Sequence, residues 1–245
     1  MARMAESEGV PEPGHLPHDI DHSHPDVTGG WLRAATFGAM DGLVSNSALI
    51  AGVAAGAGAH TVVLSGVAGL LAGAFSMALG EYTSVTTANE QIDSQVRIER
   101  RSFERHPHAE RDELVSMLMD MGMSEATARQ ATEEIHRDEE QAVHFHLSQE
   151  LGVDPREKPS PVIAAVSSFV MFALGAIIPL LPYLFGSDKL WLGLMCSGAG
   201  LLVAGAVAAK FTKGSMWLGA GRQLAFGAIA IAATYAVGNL VEATL

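Results

Sequence analysis

The chain has 245 residues, 49% of them hydrophobic, a mean hydropathy of +0.24 and a formal net charge of −12. So acidic a balance excludes a nucleic-acid binder and favours cations as partners. The single cysteine, Cys196, excludes a disulfide framework and a cysteine-based zinc site.

Residues 1–28 are rich in Pro, Gly, Glu and His and have almost nothing to bury, so a disordered tail is expected. Within it His15, His18, His22 and His24, interleaved with Asp19, Asp21 and Asp26, could hold a divalent ion loosely; a solvated tail is the better reading. No basic start followed by an apolar core precedes the first span, so no cleavable signal peptide is expected.

From Trp31 the apolar residues fall into long blocks with few charges, the pattern of membrane spans. The first runs from Trp31 to about Ala59 and holds one internal acid, Asp41, followed by Ser45, Asn46 and Ser47. The second covers about Thr61 to Thr87, with Glu81 its only charge. No Pro or Gly follows Gly80 until His106-Pro107, which predicts a helix that leaves the apolar block and continues straight into the polar region. Residues 89–158 hold most of the carboxylates. Three helices are predicted there: the continuation of span two, a helix over about Ala109 to Met121, and a longer one opened by Ser124 and ended near Leu151 by Gly152 and Pro155. Met117, Met119, Met121 and Met123 read as core or interface filler. The remaining spans are Pro161 to about Phe185, kinked by Pro179 and Pro182, then Leu190 to Phe211, then Leu218 to about Leu240. Small residues such as Gly193, Gly198, Gly200, Gly205 and Gly227 permit close helix packing there.

The expected fold is thus an all-α membrane protein. Five transmembrane helices, in 29–88 and 159–245, flank an acidic three-helix metal-binding domain at 89–158. Lys210, Lys213, Arg222 and the arginines of 97–137 place that domain and the N-terminus in the cytosol by the positive-inside rule. The absent targeting segment and the Arg-, Ala- and Gly-rich composition suggest a prokaryotic plasma membrane, with a vacuolar one as the alternative.

Asp41 is the sharpest chemical signal. A charge at the bilayer centre costs roughly 2.5–3.5 kcal/mol on insertion scales and is seldom kept without a role. It reads as a metal ligand and proton acceptor on a permeation path, with Ser45 one turn away. Met77 and Glu81 share a helix face, and a thioether beside carboxylates suits Fe2+ better than Mg2+ or Ca2+. In the acidic region Glu110 and Glu113 share one face, His146 and Glu150 another, and Glu99 lies on the extension of span two. Carboxylates and an imidazole from three helices could converge on divalent ions. Glu133-Glu134-Ile135-His136 has the Glu-x-x-His spacing of di-iron bundles, but those need two copies, which leaves a ferritin-like oxidase the weaker reading, with His136, Glu140 and His144 as auxiliary ligands.

Four stretches in order, Met40-Asp41-Gly42-Leu43-Val44-Ser45, Ser76-Met77-Ala78-Leu79-Gly80-Glu81-Tyr82, Glu150-Leu151-Gly152 and Gly175-Ala176-Ile177-Ile178-Pro179-Leu180-Leu181-Pro182-Tyr183, resemble the vacuolar iron transporter family over about Trp31 to Leu240. The resemblance implies a homodimer of five-span protomers that exchanges cytosolic Fe2+, and often Mn2+, for protons. It matches Asp41 and Met77 to path residues, and Glu99, Glu110, Glu113 and Glu150 to glutamates of the metal-binding domain. It also marks departures. Ser102 stands where a further glutamate is expected, His146-Leu147 where a methionine pair is, and Ala34 and Gly69 where some members carry acids. His146 would then supply nitrogen in place of sulfur, which admits Mn2+ or Zn2+ at the cytosolic domain.

The function expected is a proton-coupled exporter of Fe2+ through a lipid bilayer, a transporter rather than an enzyme. The rival from another class is a membrane-anchored metal sensor or buffer, for which Asp41 and Met77 would have no use.

Overall fold

The computed structural model describes residues 31–152 and 155–244. The expectations for the tail at 1–28 therefore lie outside the described residues. Among those residues the chain is helical throughout, with no strand.

Helix α1 (Trp31–Ala54) is followed after a short turn by α2 (Ala59–Arg105), 47 residues without a break. At 1.5 Å per residue α2 is about 70 Å long, more than twice the ~30 Å hydrocarbon thickness of a bilayer. Its glycines all fall at or before Gly80, and it ends where Pro107 cannot continue it.

The acidic insert differs from expectation in one respect. After α3 (Pro107–Asp120) the predicted long helix is two helices, α4 (Glu125–Ile135) and α5 (Glu139–Leu151). Asp138 makes the break. Its backbone is extended (φ −118°, ψ 110°) and its side chain accepts a hydrogen bond from the Gln141 N–H, so it caps a new helix whose first turn holds Glu139 and Glu140. Two small apolar clusters hold the insert together. Leu114, Val115, Leu118 and Ala128 join α3 to α4. Phe103, Ala142, Val143 and Leu147 join the extension of α2 to α5. Each fully buried Leu contributes about 1.5–3 kcal/mol. Met119, Met121 and Met123 are exposed, so they are not core filler.

After the insert, Ser160 caps α6 (Pro161–Ile177). The chain then tightens into a 3-10 turn at Ile178–Leu180 and the short α7 (Leu181–Leu184), as Pro179 and Pro182 each remove a donor from the ladder. Helices α8 (Leu190–Phe211) and α9 (Met216–Thr244) complete the chain.

Helix α1 packs closely on α6. A Cβ on Gly42 would fall 2.2 Å from the Phe172 carbonyl oxygen, and one on Gly175 would fall 2.3 Å from that of Ala39, so only glycine allows this approach. Five helical stretches are long and apolar enough to cross a membrane: Trp31–Ala54, the apolar half of α2, Pro161–Leu184, Leu190–Phe211 and Met216–Leu240. Their outward faces expose Leu64, Phe75, Val203 and Ile229 among many other large apolar side chains, a surface stable against lipid but not water. Trp31 and Trp217, at the starts of α1 and α9, and Trp191, at the start of α8, are exposed where interfacial anchors belong.

Candidate metal sites in the acidic insert and the helical bundle

Three of the five insert residues singled out in the sequence converge. Glu99 comes from the extension of α2, Glu110 from the first turn of α3 and His146 from the middle of α5, and all three are buried. One donor atom from each lies within 4.8 Å of the other two. The Nδ1 of His146 is 3.4 Å from Glu99 Oε1 and 3.6 Å from Glu110 Oε2. An ion about 2.1 Å from each donor sets donor separations of about 3–4 Å, so these atoms need little movement to close on it.

Two of the three residues also carry unsatisfied atoms. Glu99 Oε1 and both ring nitrogens of His146 are buried without a hydrogen-bond partner. Buried polar atoms are ordinarily paired, and a divalent ion is the kind of ligand that completes such a set. Ser102 donates its hydroxyl to Glu110 Oε1, which leaves Oε2 for the imidazole side. The serine found where the resemblance expects a glutamate thus orients a neighbouring carboxylate.

Glu113 and Glu150 sit at the margin and are exposed. They are electrostatically linked to the cluster: partial desolvation at its edge first, then the charges of Glu99 and Glu113, hold the Glu150 carboxyl above its ordinary value although the residue reaches solvent. Burial likewise raises Glu110, against the lowering effect of the Ser102 hydroxyl. His136 also joins the neighbourhood. Its ring stacks on Phe103 at 5.3 Å and lies 5.5 Å from the His146 ring, while its Nδ1 is 3.0 Å from the Thr132 carbonyl. Burial pushes it towards the neutral form. Its Glu-x-x-His partner does not follow: Glu133 is exposed and lines a separate cavity with His108, Arg111, Asp112 and Arg129. Glu140 pairs outward with Arg100. The di-iron arrangement is therefore not formed by these residues.

In the bundle, Asp41 and Met77 line one cavity of about 240 Å3 between α1, α2 and α6, together with Asn46, Gly69, Ser76 and Phe172. Ser45 also lines it, but its hydroxyl donates to the backbone carbonyl of Asp41 at 2.6 Å rather than to the carboxylate. Glu81, one turn beyond Met77, is buried and stands outside this cavity in an ion pair with Arg33 at 3.2 Å.

The model of the VIT family matches residues 32–239. The chain belongs to the VIT family. It is 34% identical over 218 residues to a vacuolar iron transporter of Acanthamoeba castellanii, an alignment covering 88% of this chain and 80% of that protein. It is 35% identical over 217 residues to vacuolar iron transporter homolog 1 of rice, covering 86% and 73%. A shorter stretch of 78 residues is 54% identical to vacuolar iron transporter homolog 4 of rice, covering 31% and 35%.

Sequence reasoning had not assigned three features of this VIT-family chain. Arg33, whose charge near the start of the first span suits the membrane interface, lies about two turns before Asp41 on α1 and carries no further signal in the sequence. The orienting role of Ser102 shows only once α2 and α3 are seen to fold back on each other at His106. Asn46 was legible as a polar residue in an apolar span, but nothing in the sequence showed which way its amide turns.

Proposed function

We propose that this protein exports divalent iron from the cytosol in exchange for protons, with Mn2+ as a second substrate and a homodimer as the working unit. The observation that supports this most is the shared cavity of Asp41 and Met77, a carboxylate and a thioether brought together among apolar helices. A hard and a soft donor side by side suit Fe2+. The names of the relatives, vacuolar iron transporters, agree.

In this reading residues 89–158 form a cytosolic collecting domain. Glu99, Glu110 and His146 hold the ion, Glu113 and Glu150 attract it at the rim, and the nitrogen donor also admits Zn2+ or Mn2+. The ion travels along α2 to Glu81, displaces Arg33, and enters the cavity at Met77 and Asp41. A carboxylate must lose its proton to bind metal, so a proton reaching Asp41 from an acidic far side expels the ion, and metal and proton move in opposite directions. The buried Glu99–Glu110–His146 cluster would equally serve a sensor or buffer, but such a protein has no need of the cavity in the bundle.

Purified full-length protein in vesicles loaded with a metal-sensitive dye tests the coupling. Fe2+ uptake should accelerate when the interior is made acidic, and the interior should lose protons as metal enters. Uptake that ignores the gradient removes proton exchange from the reading. Metal binding without uptake replaces the whole reading with the sensor or buffer.

A further inference from the structure

The cavity of Asp41 and Met77 has a third polar wall. Asn46 is 2% exposed. Its Nδ2 donates to the carbonyl oxygen of Ala176 at 2.6 Å. That carbonyl belongs to the last turn of α6, just before the chain tightens at Ile178, where carbonyls lose their regular partners. Only an N–H can face a carbonyl oxygen at such a distance, so the bond fixes which end of the amide is which. Oδ1 is consequently turned away from α6, and it is buried with no hydrogen-bond partner.

Capping α6 accounts for the nitrogen and leaves the oxygen unexplained. A buried carbonyl without a partner is costly, the more so where lipid surrounds the helices and water is scarce. A leucine would fill this space without that cost. The oxygen lies against Gly69 of α2. A Cβ built there would come within 3.2 Å of Asn46 Oδ1 and 3.1 Å of Leu49 Cδ1. Glycine at 69 therefore keeps the surroundings of the oxygen open, and both residues line the cavity that holds Asp41 and Met77.

We propose that Asn46 Oδ1 is a ligand of the ion as it passes through this cavity, a neutral oxygen lining the same walls as the Asp41 carboxylate and the Met77 thioether, and that it sets the preference among divalent cations. The inference rests on the transport reading above. An amide oxygen does not protonate in the physiological range, so it holds metal without competing for the exchanged proton. It is also a hard donor, and it favours Mn2+ and Fe2+ over soft ions such as Cd2+, which Met77 alone would favour.

Two variants of the full-length protein test this in reconstituted vesicles, with Mn2+ and Cd2+ as probes. Asn46→Leu removes the oxygen together with the α6 cap. Gly69→Ser leaves Asn46 and its bond to Ala176 in place but offers Oδ1 a hydroxyl donor. Both should raise the Mn2+ concentration for half-maximal flux by about tenfold or more, the scale on which even outer partners of a metal site act, and raise that for Cd2+ much less. A merely structural Asn46 would lower the maximal rate for both ions alike and leave their ratio unchanged. If Asn46→Leu fails to fold, Gly69→Ser decides alone. Unchanged Mn2+ and Cd2+ constants in Gly69→Ser, beside an inactive Asp41→Ala, overturn this inference and spare the transport reading. Normal flux in Asp41→Ala removes both.

Discussion

The guanidinium of Arg33 meets the carboxylate of Glu81 at 3.2 Å across the seam between α1 and α2, one helical turn beyond Met77. The two ends differ in setting: the Glu81 side chain is 10% exposed and that of Arg33 is 68% exposed. A positive charge therefore stands beside the carboxylate that, on the proposed path, an ion following α2 would reach before the cavity. Being largely solvated on the arginine side, the pair is worth no more than about 0.5–1 kcal/mol and is easily exchanged.

Removing the guanidinium should free Glu81 for metal. Arg33→Gln is expected to increase initial flux at sub-saturating metal by about 2- to 5-fold, the factor that such an energy corresponds to. Glu81→Gln should lower it. Initial rates at low metal in vesicles measure both, and a loss of flux in Arg33→Gln would show that the pair supports the path rather than obstructing it.

His146 is the only nitrogen donor in the Glu99–Glu110–His146 cluster, and it is fully buried. His146→Ala should weaken binding of Zn2+ to the full-length protein by at least about 10- to 100-fold. It should also destabilise the insert by about 2–5 kcal/mol through the cavity it leaves against Phe103. His146→Met keeps the volume and exchanges nitrogen for sulfur, so its stability should recover while its preference moves from Zn2+ and Mn2+ towards softer ions. Titration calorimetry and thermal melts separate the two effects.

Metal binding at this cluster should depend on pH above the ordinary carboxyl range. Burial of Glu110, and partial desolvation of Glu150 at the edge of the cluster together with the charges of Glu99 and Glu113, raise both above their usual value of 4.5. The folded, metal-free protein therefore holds protons that the unfolded chain releases, and its stability falls as pH rises through the raised values. A divalent ion binds the deprotonated form and offsets that loss. The increase in melting temperature on adding Mn2+ should be absent below about pH 4.5 and grow steadily from there towards neutrality. An increase independent of pH would place the ion elsewhere.

The approach of α1 to α6 gives a test of the fold itself. Gly42→Val drives a side chain into the Phe172 carbonyl, and Gly175→Val drives one into that of Ala39. Backbone cannot give way as a side chain can, so each should cost about 3 kcal/mol or more, the upper end for overpacking. Gly80→Ala, with open space around its Cβ, should be neutral or stabilise α2 by about 0.5–1 kcal/mol. Thermal melts in detergent would reveal an account of the packing gone wrong if the three behaved alike.

Much of this architecture was legible because it follows from one-dimensional signals. The long rod of α2 follows from the absence of Pro and Gly after Gly80, and the start of α4 from Ser124, whose side chain accepts from the Thr127 N–H. The break between α4 and α5 was not legible. Glu134 to Glu140 reads as continuous helix, and Asp138 is as ordinary a surface residue as an N-cap until its neighbours turn. The convergence of the candidate ligands Glu99, Glu110 and His146 was legible only in part. Helical spacing put Glu110 with Glu113 and His146 with Glu150, but burial separates each pair, selecting Glu110 and His146 and leaving Glu113 and Glu150 exposed. Which turn of a helix faces inward is decided by the neighbouring helices, here through Phe103, Leu114 and Leu147, and not by spacing within it.

The central claim is that Asp41 carries the ion through the bundle beside Met77. The most direct measurement is the initial rate of Fe2+ uptake into vesicles with an acidic interior, comparing the unaltered full-length chain with Asp41→Asn, which keeps the size of the side chain and removes its charge. Uptake by Asp41→Asn at the level of protein-free vesicles, with the insert still binding metal, is the predicted result. Uptake at the unaltered rate would contradict it and leave the aspartate a structural residue.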